Sequence, residues 1–227
     1  MPPPTEPRLS VLAVNVGLPR EIEVNGHRVA TAIYKSPVSG HVTLRRLNFD
    51  GDRQADLTVH GGPDKAVYAY PSEHYAYWRG ELPGVELIWG NFGENLTITG
   101  LRENEVRIGD RYRVGTAELV VTQPRVPCYK LAIRFDRPDM PKRFLRSGRT
   151  GFYFAVRREG AVCAGAHIAL LARAEHDVTV ADITRLYITD RDNADLLRRA
   201  IAVDALPVVW RDYFAQRLAR VTGHAEH

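Results

Sequence analysis

Glycine, proline and aspartate cut the first 172 residues into short β-rich runs, and this spacing limits the fold more than any other feature of the chain. The clearest runs are LSVLAVNV (9–16), HRVATAIY (27–34), KAVYAY (65–70) and NLTITG (95–100). RYRVGTAELVVTQ (111–123) reads as one long strand whose glycine marks a bulge or bend. GFYFAVRREGAVCAGAHIALLA (151–172) reads as a hairpin that turns near Glu159 and Gly160. Short strands with turn residues between them predict an all-β sandwich or barrel over this region.

The period then changes. TVADITRLY places Val180, Ile183, Leu186 and Tyr187 on one helical face, and Thr179 with Asp182 forms a capping-box start. NADLLRRAIA places Leu196, Leu197, Ala200 and Ile201 at helical spacing. LPVVWRDYFAQRLARV opens with Pro207, tolerated in a first turn, and carries Trp210, Tyr213, Phe214 and Leu218. Helices this short cannot bury enough surface alone. They are expected to pack together and to dock on the β region or on a second subunit as a homodimer. The expected organisation is a proline-rich leader (1–8), a β domain (9–174) and a three-helix module (175–227).

No apolar run approaches the roughly 18 residues that span a bilayer. The start, MPPPTEPRLS, has no charged segment followed by an apolar one, so a cytoplasmic location without membrane contact is expected. Cys128 and Cys163 are the two cysteines, expected to be reduced thiols. Without a C-x-x-C pair there is no signature of a zinc ribbon, iron–sulfur cluster or thioredoxin-like site.

The net charge of +4 is unevenly spread. Between 125 and 149, eight basic residues (Arg125, Lys130, Arg134, Arg137, Lys142, Arg143, Arg146, Arg149) stand against Asp136 and Asp139. Such a patch suits an anionic cofactor, an acidic protein partner or nucleic acid, or it is simply a solvated surface. Nucleic acid is disfavoured, because Tyr68, Tyr70, Tyr75 and Tyr77 are grouped without an interleaved basic stripe.

Within that window, TQPRVPCYK (122–130) carries the chemistry. Pro124 and Pro127 fix two φ angles and push Gln123 and Val126 extended, giving a rigid loop. Arg125 and Lys130 flank Cys128 and favour its thiolate, a nucleophile or a soft-metal ligand. A free cysteine is most often a small buried hydrophobe. That reading suits Cys163, among small apolar residues, better than Cys128 among basic ones. A cysteine protease would need a histidine base, and no family-like signature surrounds His60, His74 or His167. A metal held by a single cysteine makes sense if an organic group supplies its other ligands, and a pterin dithiolene also brings a phosphate that needs basic residues. HGGPDK (60–65) is either a glycine turn or an anion-facing one with His60 and Lys65 beside it.

The chain resembles the MOSC-domain proteins, in their bacterial YiiM-like branch. The resemblance lies in IYKSPVSG (33–40), FDGDRQADLTVHGGPDKAVYAYPSEHYAYW (49–78), WGNFGENLTITGL (89–101), VRIGDRYRVGTAELVVTQPRVPCYKL (106–131), GFYFAVRREG (151–160) and the helical tail. It implies a mainly β chain: a closed, irregular β-barrel with a small C-terminal three-helix module. It also implies binding of the molybdenum cofactor, a molybdopterin, with Cys128 as the protein ligand to molybdenum. By the same resemblance Arg125 and Lys130 are catalytic and cofactor-binding candidates. Lys35, Ser36, His60 and Asn95 are further cofactor-binding candidates. Relatives tend to read Gly-Asp where this chain has Gly165-Ala166-His167, so no acid acts there and His167 is expected to face solvent.

The function expected is a molybdenum-dependent oxidoreductase that reduces N-hydroxylated small molecules, such as hydroxylamino nucleobases or amidoximes, to the amine and water. No second cofactor motif is present, so a flavoprotein or iron–sulfur donor is expected to supply the electrons, with the basic window as its dock. The alternative is a sulfur or cofactor carrier in which Cys128 bears a persulfide.

Overall fold

The computed structural model describes residues 9–24, 26–55 and 61–223. The leader expected at 1–8 and His60 lie outside the described residues. In chain order the strands are β1 (Ser10–Val16), β2 (Arg20–Val24), β3 (His27–Thr31), β4 (Ser36–Val38), β5 (Val42–Leu44), β6 (Val67–Pro71), β7 (Leu96–Thr99), β8 (Arg111–Val114), β9 (Ala117–Pro124), β10 (Phe152–Arg158), β11 (Gly160–Val162) and β12 (Ile168–Ala172). The helices are α1 (Glu73–Glu81), α2 (Tyr129–Phe135), α3 (Met140–Arg146), α4 (Val180–Ile188), α5 (Ala194–Ile201) and α6 (Val208–Gly223).

The main sheet runs β12-β8-β9-β10-β6-β7-β1-β4. β6 and β7 pair in parallel, and the other neighbours in the sheet pair antiparallel. Two small sheets, β11-β5 and β2-β3, stand beside it. The closed barrel implied by the resemblance is therefore corrected to an open, mixed sheet edged by β12 and β4. Closure requires a continuous ladder between end strands. β4 is three residues long, and β1 meets the approach of β12 through the Ser10–His167 bridge and three backbone hydrogen bonds around it, without a ladder between β12 and β4, the strands that end the sheet. The region is not all-β either, since α1, α2 and α3 lie within it.

Two local readings change with it. The run 111–123 is a hairpin, with Val114 opposite Ala117 and Gly115 at φ 59° in the two-residue turn. Such turns need positive φ, which glycine supplies. A side chain at Gly115 would also meet the carbonyl oxygen of Ala161 at 2.3 Å. The expected hairpin at 159–160 is instead a corner. β10 pairs with β9 and β6, while β11 leaves to pair with β5. Gly160 permits the corner, because a Cβ there would sit 2.5 Å from the backbone nitrogen of Ala117.

The C-terminal helices form as their periodicity predicts. Thr179 and Asp182 make the reciprocal capping box of α4, and Asn193 caps α5 through the N–H of Leu196. Val180, Ile183, Leu186, Leu196, Leu197, Ala200 and Phe214 are buried in one core with Val121, Phe152, Phe154 and Ile108 of the β region. A second, aromatic core joins Tyr70 of β6, Tyr75 and Trp78 of α1, Phe92, and Phe144 of α3. It seats α2 and α3 against the sheet and so supports the loop that precedes α2. Among the described residues no helix is long and apolar enough to cross a membrane.

Candidate active site

β9 carries Thr122 and Gln123 into Pro124, and the chain then turns through Arg125 to Pro127 before α2 begins. Cys128 stands at the N-cap of α2 in extended conformation, half-buried, with its carbonyl accepting from Leu131 N–H at 3.0 Å. The two prolines and the bond from Arg125 N–H to the Gly151 carbonyl at 3.3 Å hold the loop.

Arg125 is buried. Its guanidinium donates to the Phe92 carbonyl at 2.8 Å and lies 4.8 Å from the centre of the Tyr68 ring. Burial opposes its charge, but the Tyr68 and Tyr153 phenols and the Cys128 thiol outweigh that and hold its pKa above the ordinary value. Burial correspondingly pushes both phenols up, against the pull of Arg125. Arg125 is thus a fixed positive charge beside the Cys128 thiol.

Cys128, Arg125 and Lys130 line one cleft with Lys35, Asp52, Lys65, Asn95, Tyr68 and Tyr153. It outlines about 600 Å³ of space, open solvent included. On one wall Lys35 is ion-paired with Asp52. Asp52 Oδ1 also accepts from Gly17 N–H at 2.9 Å, and Oδ2 accepts from Asn95 Nδ2 at 2.8 Å. Burial lowers the Lys35 pKa, against the opposing attraction of Asp52 and Glu94. Asn95 is fixed in turn, because its Oδ1 accepts from Tyr68 N–H at 3.1 Å. Lys130 is buried and has no side-chain hydrogen bond or ion pair among the described residues.

Six of the residues singled out from sequence therefore meet in the cleft: Cys128, Arg125, Lys130, Lys35, Lys65 and Asn95. Ser36 does not; it begins β4 with an exposed side chain and is absent from the lining. His60 lies outside the described residues. His74 is not a base for the thiol, being buried against Glu103 at 2.8 Å. Cys163 is half-buried just past β11, away from the cleft, and His167 is exposed.

Asp52, Tyr68, Tyr153 and Glu94 were missed. Glu94 is buried behind the cleft and gathers Tyr75 Oη at 2.5 Å, Gly90 N at 2.8 Å, Phe92 N at 3.1 Å and Thr97 Oγ1 at 2.9 Å. It shapes the loop that offers the Phe92 carbonyl to Arg125. Much of the basic window is occupied elsewhere. Arg143 binds Glu81 at 2.5 Å, Arg137 binds Asp139, Arg134 binds Asn91, and Arg149 sits on the Tyr77 ring.

No group of three or more His, Cys, Asp or Glu able to hold a metal exists among the described residues. A metal held here by Cys128 would need its remaining ligands from an organic group. The cleft offers the donor chemistry such a group requires: one thiol, and lysines and an arginine for an anionic moiety. The residues fit the molybdenum cofactor on donor chemistry.

An open mixed sheet with a single thiol set among lysines and an arginine in its cleft, and three helices appended, defines the class of the chain. The MOSC domain family model matches residues 56–169, and the YiiM-like, 3-alpha helix domain model matches 178–220. YflK of Bacillus subtilis (strain 168) is 44% identical over 214 residues, covering 94% of this chain and 96% of that one. The crystal structure of YiiM from Geobacillus stearothermophilus superposes with a TM-score of 0.78 at 37% identity, covering 93% of this chain and all of that one. A protein named Reductase from Gibberella moniliformis (strain M3125 / FGSC 7600) is 37% identical over 164 residues, 71% of this chain but 29% of that much longer protein. The chain belongs to the MOSC-domain family, in its YiiM-like branch.

Proposed function

We propose that this protein is a molybdenum-cofactor-dependent reductase of N-hydroxylated small molecules, hydroxylamino nucleobases and amidoximes among them. The carrying observation is that the Cys128 thiol opens into one cleft with Arg125, Lys130, Lys35 and Lys65. Family membership supports the cofactor, and the name of the Gibberella relative supports the reaction class.

Cys128 would hold the metal through its thiolate, on a loop stiffened by two prolines. Bound there, the cofactor would supply a two-electron redox couple. Arg125 cannot lose its proton, so it stays a positive charge beside the thiolate and beside charge that develops on the substrate oxygen. Lys130 and Lys65 would neutralise the pterin phosphate. Asp52, itself held by Asn95, pairs with Lys35 in the same cleft. Overall, R–NHOH takes up two electrons and two protons and gives R–NH2 and water. An external flavoprotein or iron–sulfur protein would deliver the electrons, since the chain shows no motif for a second cofactor.

The test is reduction of benzamidoxime and 6-hydroxylaminopurine by cofactor-loaded protein with a reduced viologen dye as donor. Amine formation is expected. Absence of turnover on both compounds would replace this reading with a carrier role in which Cys128 bears a persulfide.

A further inference from the structure

One side chain of the three-helix module is hydrogen-bonded to β9 just before the cleft loop. Trp210, in the first turn of α6, donates its indole N–H to Oε1 of Gln123 at 2.6 Å. Gln123 is buried near the end of β9, two residues before Arg125. At its other end, Nε2 donates to the main-chain carbonyl of Asp64 at 3.3 Å, and Thr122 Oγ1 donates to the same oxygen at 2.7 Å. That carbonyl shares a rigid peptide plane with the N–H of Lys65. The Lys65 N–H is itself held by the Gly62 carbonyl at 3.1 Å. With both ends of the plane fixed, the direction in which Lys65 leaves its 3-10 turn (Pro63–Lys65) is set. Lys65 lines the cleft.

The orientation of Gln123 depends on Trp210. An indole N–H only donates, whereas a carboxamide has a donor end and an acceptor end. Trp210 therefore selects the orientation in which Oε1 faces α6 and Nε2 faces Asp64. Without the indole, only the 3.3 Å bond to the Asp64 carbonyl holds the amide, and a flipped form would set two acceptors, Oε1 and that carbonyl, against each other.

We infer that Trp210 is a positioning residue for the cleft: through the Gln123 amide, the C-terminal module fixes the Asp64–Lys65 peptide and with it the lysine on the anion-facing wall. The inference rests on the proposed function only for what the cleft holds. It makes the helical module a part of the site and not merely a cover for the hydrophobic core.

Limiting acetylation, read residue by residue by mass spectrometry, tests it. In Trp210→Phe the Lys65 acetylation rate should rise about fivefold, the factor that loss of one net hydrogen bond gives in a local opening. Gln123→Glu keeps the acceptor for the indole and removes the donor to Asp64, so it should raise the rate as much. Trp210→Phe added to Gln123→Glu should then change nothing further. Thr179→Ala weakens the module at a point that does not touch Gln123, and it should leave Lys65 at the wild-type rate. An unchanged rate in Trp210→Phe, or an equal rise in Thr179→Ala, would overturn the inference. The labelling needs no cofactor, so failure of wild-type protein to take up molybdenum would end the reading of function and leave this test standing.

Discussion

Asp52 satisfies three donors at once: Lys35 Nζ, Gly17 N and Asn95 Nδ2. Its charge is matched only while Lys35 remains, and the reverse holds for the lysine. Asp52→Asn should therefore lower the unfolding free energy by about 3 kcal/mol or more, measured by urea denaturation. Adding Lys35→Met should cost less than the sum of the two single changes. Glu94 makes a pH-dependent contribution. Burial lifts its carboxyl above the ordinary value of 4.5. As pH rises past that value the unfolded chain loses the proton first, so it binds fewer protons than the folded chain. Stability attributable to Glu94 is thus present in acid and falls with rising pH. Glu94→Gln should flatten that slope from the ordinary value of 4.5 upward, and it should also leave Phe92 N–H without its acceptor. At this scale Cys128 and Arg125 were legible because their motif is local: two prolines and flanking cations within nine residues. Asp52 was not, because its partners lie 17, 35 and 43 residues away. A carboxylate in a charged stretch reads the same whether it ends in solvent or in a buried pair.

At the scale of elements, the corner at Gly160 is the sharpest commitment of the fold. Gly160→Ala would press a methyl group against Ala117 N and should destabilise by about 1–3 kcal/mol, seen as a lower urea midpoint at unchanged slope. A 159–160 hairpin open to solvent would tolerate the change. Thr179→Ala should cost about 1 kcal/mol through loss of the α4 cap. The C-terminal helices were legible because a 3.6-residue apolar period and caps are properties of the segment itself. The β10–β11 corner was not, because alternation identifies a strand without naming its partner. α1 was hidden for another reason. Its buried side chains, His74, Tyr75 and Trp78, have polar tips that find partners in Glu103, Glu94 and Tyr70. It therefore shows no plain apolar stripe in the sequence.

On the scale of the whole molecule, the sheet and the helical module share a single hydrophobic core. Heat or urea should therefore unfold both in one transition, with calorimetric and van't Hoff enthalpies equal. Two separated transitions would mean the module is independent of the sheet. The open sheet is itself a whole-molecule property, set by whether distant edge strands meet, and the short runs of the sequence do not carry that information. What the molecule assembles is a cleft that draws on β6, β10, the loop before α2, the first turn of α2 and the segments around Lys35 and Asp52, with Cys128 as its only thiol among the described residues. The most direct test is the molybdenum content of wild-type protein and of Cys128→Ser, both made in a host that synthesises the cofactor and both verified as folded. Near-stoichiometric molybdenum in the wild type and its loss in Cys128→Ser is the result expected. Molybdenum retained undiminished by the serine variant would contradict the assignment of Cys128 as the metal's anchor.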